Sequence, residues 1–298
     1  MNASSAPQRS WSELLQEKRT PGALAERLLV YLILSLIAMM TIGPFVLTLL
    51  MSFMGEGWNP VFPPKLWPEV WSLKNYLTIL TTQGGTYLNF PRALLNSTIV
   101  SGGATLVVCF VASLGGYSLA KLRYPGRDAI FLTMLSTMMI PGVVLLIPVY
   151  LILMKMGLLN KYAGLIIPQV SGVFGIFMMR QFVSQLPKSL EKAATIDGCT
   201  KFQIYWRIVL PLIKPALVTL GIITFMGSWN AFLWPLIIAR DADMYTLQVG
   251  LVQLSTARDS EWAPLAAGIL LSMLPSLVLF LTMQKYYVRG IVLGGIKG

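Results

Sequence analysis

Uncharged apolar runs recur six times along the chain, at about Leu28–Phe53, Ala93–Leu119, Ala129–Leu153, Tyr162–Met179, Pro215–Ile238 and Ala263–Gln284. A helix needs about 20 such residues to cross a bilayer. The runs lack the ten-residue alternation of membrane strands, which argues against a barrel. They predict an all-α membrane protein of six transmembrane helices, the fourth short enough to tilt little or to thin the bilayer locally. Pro141 and Pro148 in the third run and Pro168 in the fourth predict kinks, because an interior proline frees a carbonyl of the helix. Gly102, Gly103, Gly115 and Gly116 in the second predict close helix packing.

Two stretches between the runs carry a pattern of their own. After Ser72, the positions Leu73, Tyr76, Leu77 and Leu80 follow the i, i+3, i+4, i+7 spacing of a short helix with one apolar face. It follows Trp58, Trp67 and Trp71 in a loop of about residues 54–92 and is expected to lie flat at the membrane interface. In the segment from Arg180 to Lys214, Pro187 and Ser189 can start a helix and Gly198 can end it. A second helix is expected to bring Phe202, Tyr205, Trp206 and Val209 to one face until Pro211 halts it. Physics alone leaves two readings open: a compact two-helix knob, or an amphipathic loop lying against the bilayer.

Composition sharpens the class. The chain is 55% apolar and only 12% charged, whereas a soluble domain carries about a quarter charged residues. With six crossings both termini share a side, and that side holds 16 of the 23 basic residues. The positive-inside rule then places both termini in the cytoplasm and explains the net charge of +11 without nucleic acid. The expected organisation is a cytoplasmic segment over 1–27, a permease-like membrane domain over 28–284 and a cytoplasmic tail over 285–298. The first run is too long for a signal-peptide core and is expected to remain as an anchor. Cys109 and Cys199 fall at different levels and are expected to be free thiols.

The chemistry that is missing narrows the function. The chain has no His, and no Asp, Glu, Lys or Arg falls inside the six runs. A proton-coupled carrier ordinarily keeps a titratable group at membrane depth. There is no phosphate-binding loop, no nucleophile–base set and no metal-ligand cluster in the sequence, so no catalysis, cofactor or metal is expected on this chain. Uphill transport would then draw its energy from another subunit. A self-contained sodium-driven carrier or channel is the alternative, since backbone carbonyls at broken helices can bind sodium; a membrane enzyme or a scaffold are remoter ones. Gln169, Ser171 and Asn230 are the polar groups in or near the runs that could face a solute pathway, or else bond between helices.

Ala193-Ala194-x-x-x-Gly198, nine residues, then Ile208-x-Leu210-Pro211 resembles the E-A-A-x-x-x-G-x9-I-x-L-P loop of bacterial ABC-importer permeases. The resemblance extends over most of the chain. Asn96-Ser97, Gly116 to Ala120, Ser228 to Leu236 and the ending Gln284 to Gly298 look like the carbohydrate branch, similar to the MalG-like permeases of maltose-type importers. It implies that the loop forms coupling helices seated on an ATP-binding subunit, through Glu191, Lys192, Ala193, Ala194, Asp197, Gly198, Phe202, Tyr205, Ile208, Leu210 and Pro211. The tail residues Lys297 and Gly298 would reach the interface of the ATPase dimer. One departure stands out: the family's leading Glu falls at Lys192, leaving Glu191 or Asp197 to supply the negative charge. The implied partners are an ATPase dimer carrying ATP and Mg, a second related permease and an extracytoplasmic solute-binding protein. The implied setting is the bacterial inner membrane, with a carbohydrate-class solute moved by alternating access.

Overall fold

The computed structural model describes residues 21–55, 58, 67–81, 88–257 and 262–295, with side chains outside 21–24, 257 and 284–295. The elements are α1 (Pro21–Ser52), α2 (Lys74–Thr81), α3 (Phe90–Lys121), α4 (Arg127–Thr137), α5 (Leu146–Lys155), α6 (Tyr162–Val170), α7 (Val173–Gln185), α8 (Lys188–Ile196), α9 (Lys201–Leu212), α10 (Lys214–Trp229), α11 (Leu233–Ile238), α12 (Leu247–Ala257) and α13 (Trp262–Gly295). Among the described residues there is no strand. Stretches of α1, α3 and α13 are each long and apolar enough to cross a membrane. Three bent pairs, α4 with α5, α6 with α7 and α9 with α10, raise the number of possible crossings to as many as six.

The bends fall where the sequence loses its helical continuity. Between α4 and α5 the chain turns by 91°. It does so at Met138–Pro141, where Pro141 starts the short 3-10 turn Gly142–Leu145. Pro148 makes no kink, because it lies in the first turn of α5, where its missing N–H forfeits no helical bond. Pro168 stays inside α6, and the 46° bend comes after it at Ser171–Gly172. The pair α6–α7 runs from Tyr162 to Gln185, so the fourth apolar segment is not short. The helix continues past the end of the apolar run at Met179, with Arg180 inside α7. The fifth run is interrupted at Asn230–Phe232, between α10 and α11. The proposed boundaries at 27/28 and 284/285 both fall inside helices, α1 and α13.

α3 is the central post. It packs against α6, α7 and α10 along its length. Gly116 sets the closest approach: a Cβ there would meet Met179 Cβ at 2.5 Å and the backbone N of Arg180 at 2.8 Å. Gly103 and Gly115 face Ile166 and Ile176 in the same way, whereas Gly102 meets no described residue of this chain. One core gathers Met179, Val183 and Leu220 with Ala194, Ile204, Tyr205 and Val209. The interior of the two-helix loop is therefore continuous with that of the bundle. At the opposite end Trp229 stacks on Phe225 and donates to Ser272 O at 3.1 Å, tying α10 to α13. Core residues Phe90, Leu247 and Leu251 pack in the same cluster.

α1 packs on α13, and the 18-residue apolar window of its span buries none of its residues within this chain. α2 is the short helix expected after Ser72. Its anchor, however, is Asn75, whose amide donates to Ser52 O at 2.9 Å and Met54 O at 2.8 Å. That leaves the Leu73, Leu77 and Leu80 side turned outward, the orientation of an interfacial helix.

Candidate functional site

The turn between α8 and α9 is built by two locking motifs. Gly198 sits at φ +80°, a conformation a glycine adopts without a Cβ penalty. Its N–H donates to Thr195 O at 3.1 Å and that of Cys199 to Ala194 O at 2.9 Å. Those two bonds are the Schellman pairing that closes a helix C-terminus. α9 then opens on a capping box. The Thr200 hydroxyl accepts from Gln203 N at 3.3 Å, and the Gln203 side chain accepts from Thr200 N at 2.8 Å. Orphan backbone groups of both helices are thus satisfied across four connecting residues, which leaves the loop stiff.

Polar ties hold this loop to α3. The hydroxyls of Ser113 and Tyr205 share a hydrogen bond at 2.8 Å in a buried setting. Tyr117 donates to Lys201 O at 3.1 Å and packs its ring on that of Tyr205. Lys121, the last residue of α3, donates to Leu186 O at 2.8 Å and forms an ion pair with Glu191 at 2.7 Å. A second cluster ties α4 to α7. Arg180 donates to Leu119 O at 3.3 Å, lies 3.5 Å from an Asp128 carboxylate oxygen and rests 3.7 Å above the Phe131 ring. The loop is therefore joined to α3 by hydrogen bonds, an ion pair and a ring contact.

The structure divides the sequence candidates on this loop. Ala194 and Tyr205 are buried in the chain's own core, Ile208 and Leu210 are partly buried against it, and Glu191 is taken by Lys121. Lys192, Ala193, Asp197, Gly198, Phe202 and Pro211 are exposed. The expected single face of α9 splits, because the turn Tyr205–Val209 is a π-helix that sends Tyr205 and Val209 inward. Phe202 and Trp206 stay outside, stacked on each other and 68% and 54% exposed. Ile196 is 86% exposed. Neither Ile196 nor Trp206 was among the candidates, although an Ile facing outward from a polar helix end was a signal. Lys297 and Gly298 lie outside the described residues.

The three pathway candidates make only local bonds. Gln169 donates to Leu165 O, Ser171 to Pro168 O and Asn230 to Met226 O, each within its own turn. None bonds between helices. Ser171 and Asn230 are exposed and stand at the breaks after α6 and α10. What the sequence reading missed is a polar clamp at the opposite end. Asn96 is fully buried; its amide donates to Asp243 O and Tyr245 O, and its oxygen accepts from Tyr162 at 2.6 Å. Ser97 accepts from Leu247 N at 2.7 Å, and Asn160, at φ 57°, accepts from the backbone of Arg240 at 2.9 Å and of Asp241 at 3.2 Å. Among the described residues no group of His, Cys, Asp and Glu could hold a metal ion.

Comparison with known proteins places this geometry in context. Residues 112–292 match the family described as binding-protein-dependent transport system inner membrane component. The chain is 34% identical over 268 residues to an arabinooligosaccharides transport system permease protein of Halalkalibacterium halodurans, covering 88% of this chain and 93% of that one. It is 34% identical over 211 residues to an sn-glycerol-3-phosphate transport system permease protein of Yersinia pestis, covering 70% and 75%. An inner membrane ABC transporter permease protein of Escherichia coli is 30% identical over 267 residues, covering 89% and 94%. The fold is shared with a crystal structure of a bacterial ABC transporter involved in import of the acidic polysaccharide alginate, at a TM-score of 0.76 and 23% identity over 95% of this chain and all of that chain.

Proposed function

Because this chain belongs to the family of binding-protein-dependent transport system inner membrane components, we propose that it forms half of a solute pathway driven from its α8–α9 loop. It is a permease subunit of an ABC importer and not itself an enzyme. The solute in this reading is a carbohydrate or a carbohydrate-like phosphate, the classes named for its relatives. The chain crosses the inner membrane six times with both termini in the cytoplasm, which the excess of basic residues on that side supports. ATP and Mg belong to a partner ATPase dimer. A second related permease completes the pathway, and a solute-binding protein delivers from outside.

The observation that carries this reading is the loop itself. It presents an apolar surface, Ile196 and the stacked pair Phe202 and Trp206, that the described residues leave uncovered, while Tyr117, Lys121 and Tyr205 pin the same loop to the central helix. The patch is the seat of the ATPase, beside Lys192, Ala193, Asp197 and Pro211. Ala194, Tyr205, Ile208 and Leu210 act behind it, as the packing that keeps the loop rigid. ATP-driven closure of the ATPase dimer moves the loop, and α3 follows with its neighbours. Solute passes the helix breaks near Ser171 and Asn230, with Gln169 one turn away. The test is F202S/W206S in the reconstituted complex. Solute-stimulated ATP hydrolysis should fall about tenfold or more, the scale of losing apolar anchors at an interface, while the chain remains membrane-inserted. Unchanged stimulation would remove the patch from the coupling site.

A further inference from the structure

A cleft of ≈ 980 Å³ opens between the turn that follows α3 and the side of α8. Six cations line it: Lys121, Arg123, Arg127, Lys188, Lys192 and Lys201. Glu191 is its one acidic lining residue and is already bound to Lys121 at 2.7 Å. Arg127 is held by Asp128 at 3.2 Å. Arg123, Lys188, Lys192 and Lys201 have no ion-pair partner among the described residues. Four unpaired cations around one concavity repel one another and concentrate anionic ligands there.

We propose that this cleft binds the phosphate headgroup of an anionic phospholipid. Three features favour a lipid over a soluble anion. The cleft joins the last residue of α3 to the first of α4, so it lies at the headgroup level of two apolar segments. Basic pockets between membrane helices on the cytoplasmic side are the sites where anionic headgroups dock. Its walls include apolar Ala120 and Leu122 beside the cations, and its volume exceeds what one phosphate ion fills. Lys192, where the resembling loops carry a glutamate, adds to the positive charge of the cleft. A bound headgroup would bridge the turn at Arg123 to α8 at Lys188, the joint through which the loop moves α3. The coupling of this importer would then depend on the anionic lipid content of its membrane.

The experiment uses the assembled complex in nanodiscs of phosphatidylcholine with and without phosphatidylglycerol. Native mass spectrometry counts the phosphatidylglycerol retained after transfer to detergent. The wild type should keep phosphatidylglycerol in preference to phosphatidylcholine. R123Q/K188Q should lose it roughly tenfold, on the scale of removing two basic contacts to an anionic surface. R207Q, which neutralises an exposed cation outside the cleft, should leave retention unchanged. Equal retention by the double variant would overturn the proposal. So would displacement by inorganic phosphate, which marks a soluble-anion site, or loss of the ATPase with lipid retention intact, which marks a protein seat. A photoactivatable phosphatidylglycerol on the wild type gives a second reading that needs no variant. Crosslinks within 120–127 or 188–201 support the site, and their absence there overturns it.

Discussion

Lys121 and Glu191 meet at 2.7 Å with side chains only 5% and 18% exposed, so each depends on the other for its charge to be tolerated. Removing one partner of a buried pair costs about 3–5 kcal/mol, because the survivor is left uncompensated, whereas replacing both with apolar residues is often neutral. Lys121→Met should therefore destabilise the purified chain by about 3–5 kcal/mol, and K121M/E191L should recover most of that loss. Unfolding in detergent, followed by tryptophan fluorescence, measures the cycle. A double variant as unstable as the single one would mean that the pair contributes through packing rather than charge. Glu191 also shows what the sequence could not supply at this scale. The loop motif sets its acidic position at Lys192 and leaves Glu191 only as a substitute; the partner of Glu191 comes from the end of a different helix, and no local spacing encodes that contact. Tyr205 is the same case: neither its inward turn away from Phe202 and Trp206 nor its hydroxyl's engagement by Ser113 was legible.

Individual helices were more legible than contacts, because their starts and stops are written in local chemistry. Pro187 and Gly198 bracket α8 as expected, and the T-x-x-Q capping box at Thr200 was there to be read as well. The π turn at Tyr205–Val209 was not, since a 3.6-residue spacing assigns all four of its neighbouring apolar positions to one face. Nor did prolines locate the bends: the chain breaks at Pro141 but runs through Pro148 and Pro168. Gly198 is the position where an element-scale prediction is sharpest. At φ +80° a β-branched side chain is strained by roughly 1–2 kcal/mol even though no atom lies within 4 Å of the added Cβ. Gly198→Val should re-aim α9 against α8 and sharply lower solute-stimulated ATP hydrolysis in the complex, while membrane insertion persists. Gly198→Asn, which tolerates the left-handed region, should fall between the two. If Val and Asn were equally harmless, the turn would not transmit motion.

For the whole molecule, the alternation of apolar runs and basic loops made the all-helical membrane class readable, because the bilayer imposes both. What it could not give is how little of the chain's apolar surface is covered: Leu28 through Leu49 on α1 and Met138 through Met156 on the bent third segment remain largely exposed. Those faces need lipid or a partner permease, and a single sequence does not distinguish the two. Orientation can be tested directly. In a chain with Cys109 and Cys199 replaced by serine, Leu73→Cys and Leu190→Cys occupy exposed positions and should react with an impermeant thiol reagent from opposite sides of the membrane. Labelling of both from one side would break the six-crossing arrangement. Energy input can be tested as well. Arg180, inside the fourth bent segment, lies near the loop end and is held by Asp128 and Leu119 O, so it is not free to load and unload a proton in mid-membrane. Vesicles of the complete complex, with ATP on the ATPase side, should accumulate solute at an undiminished rate after ionophores collapse the proton and sodium gradients. Without ATP, accumulation should cease whatever gradients are imposed. A rate that followed the sodium gradient instead would return the broken helices at Ser171 and Asn230 to the role of an ion site.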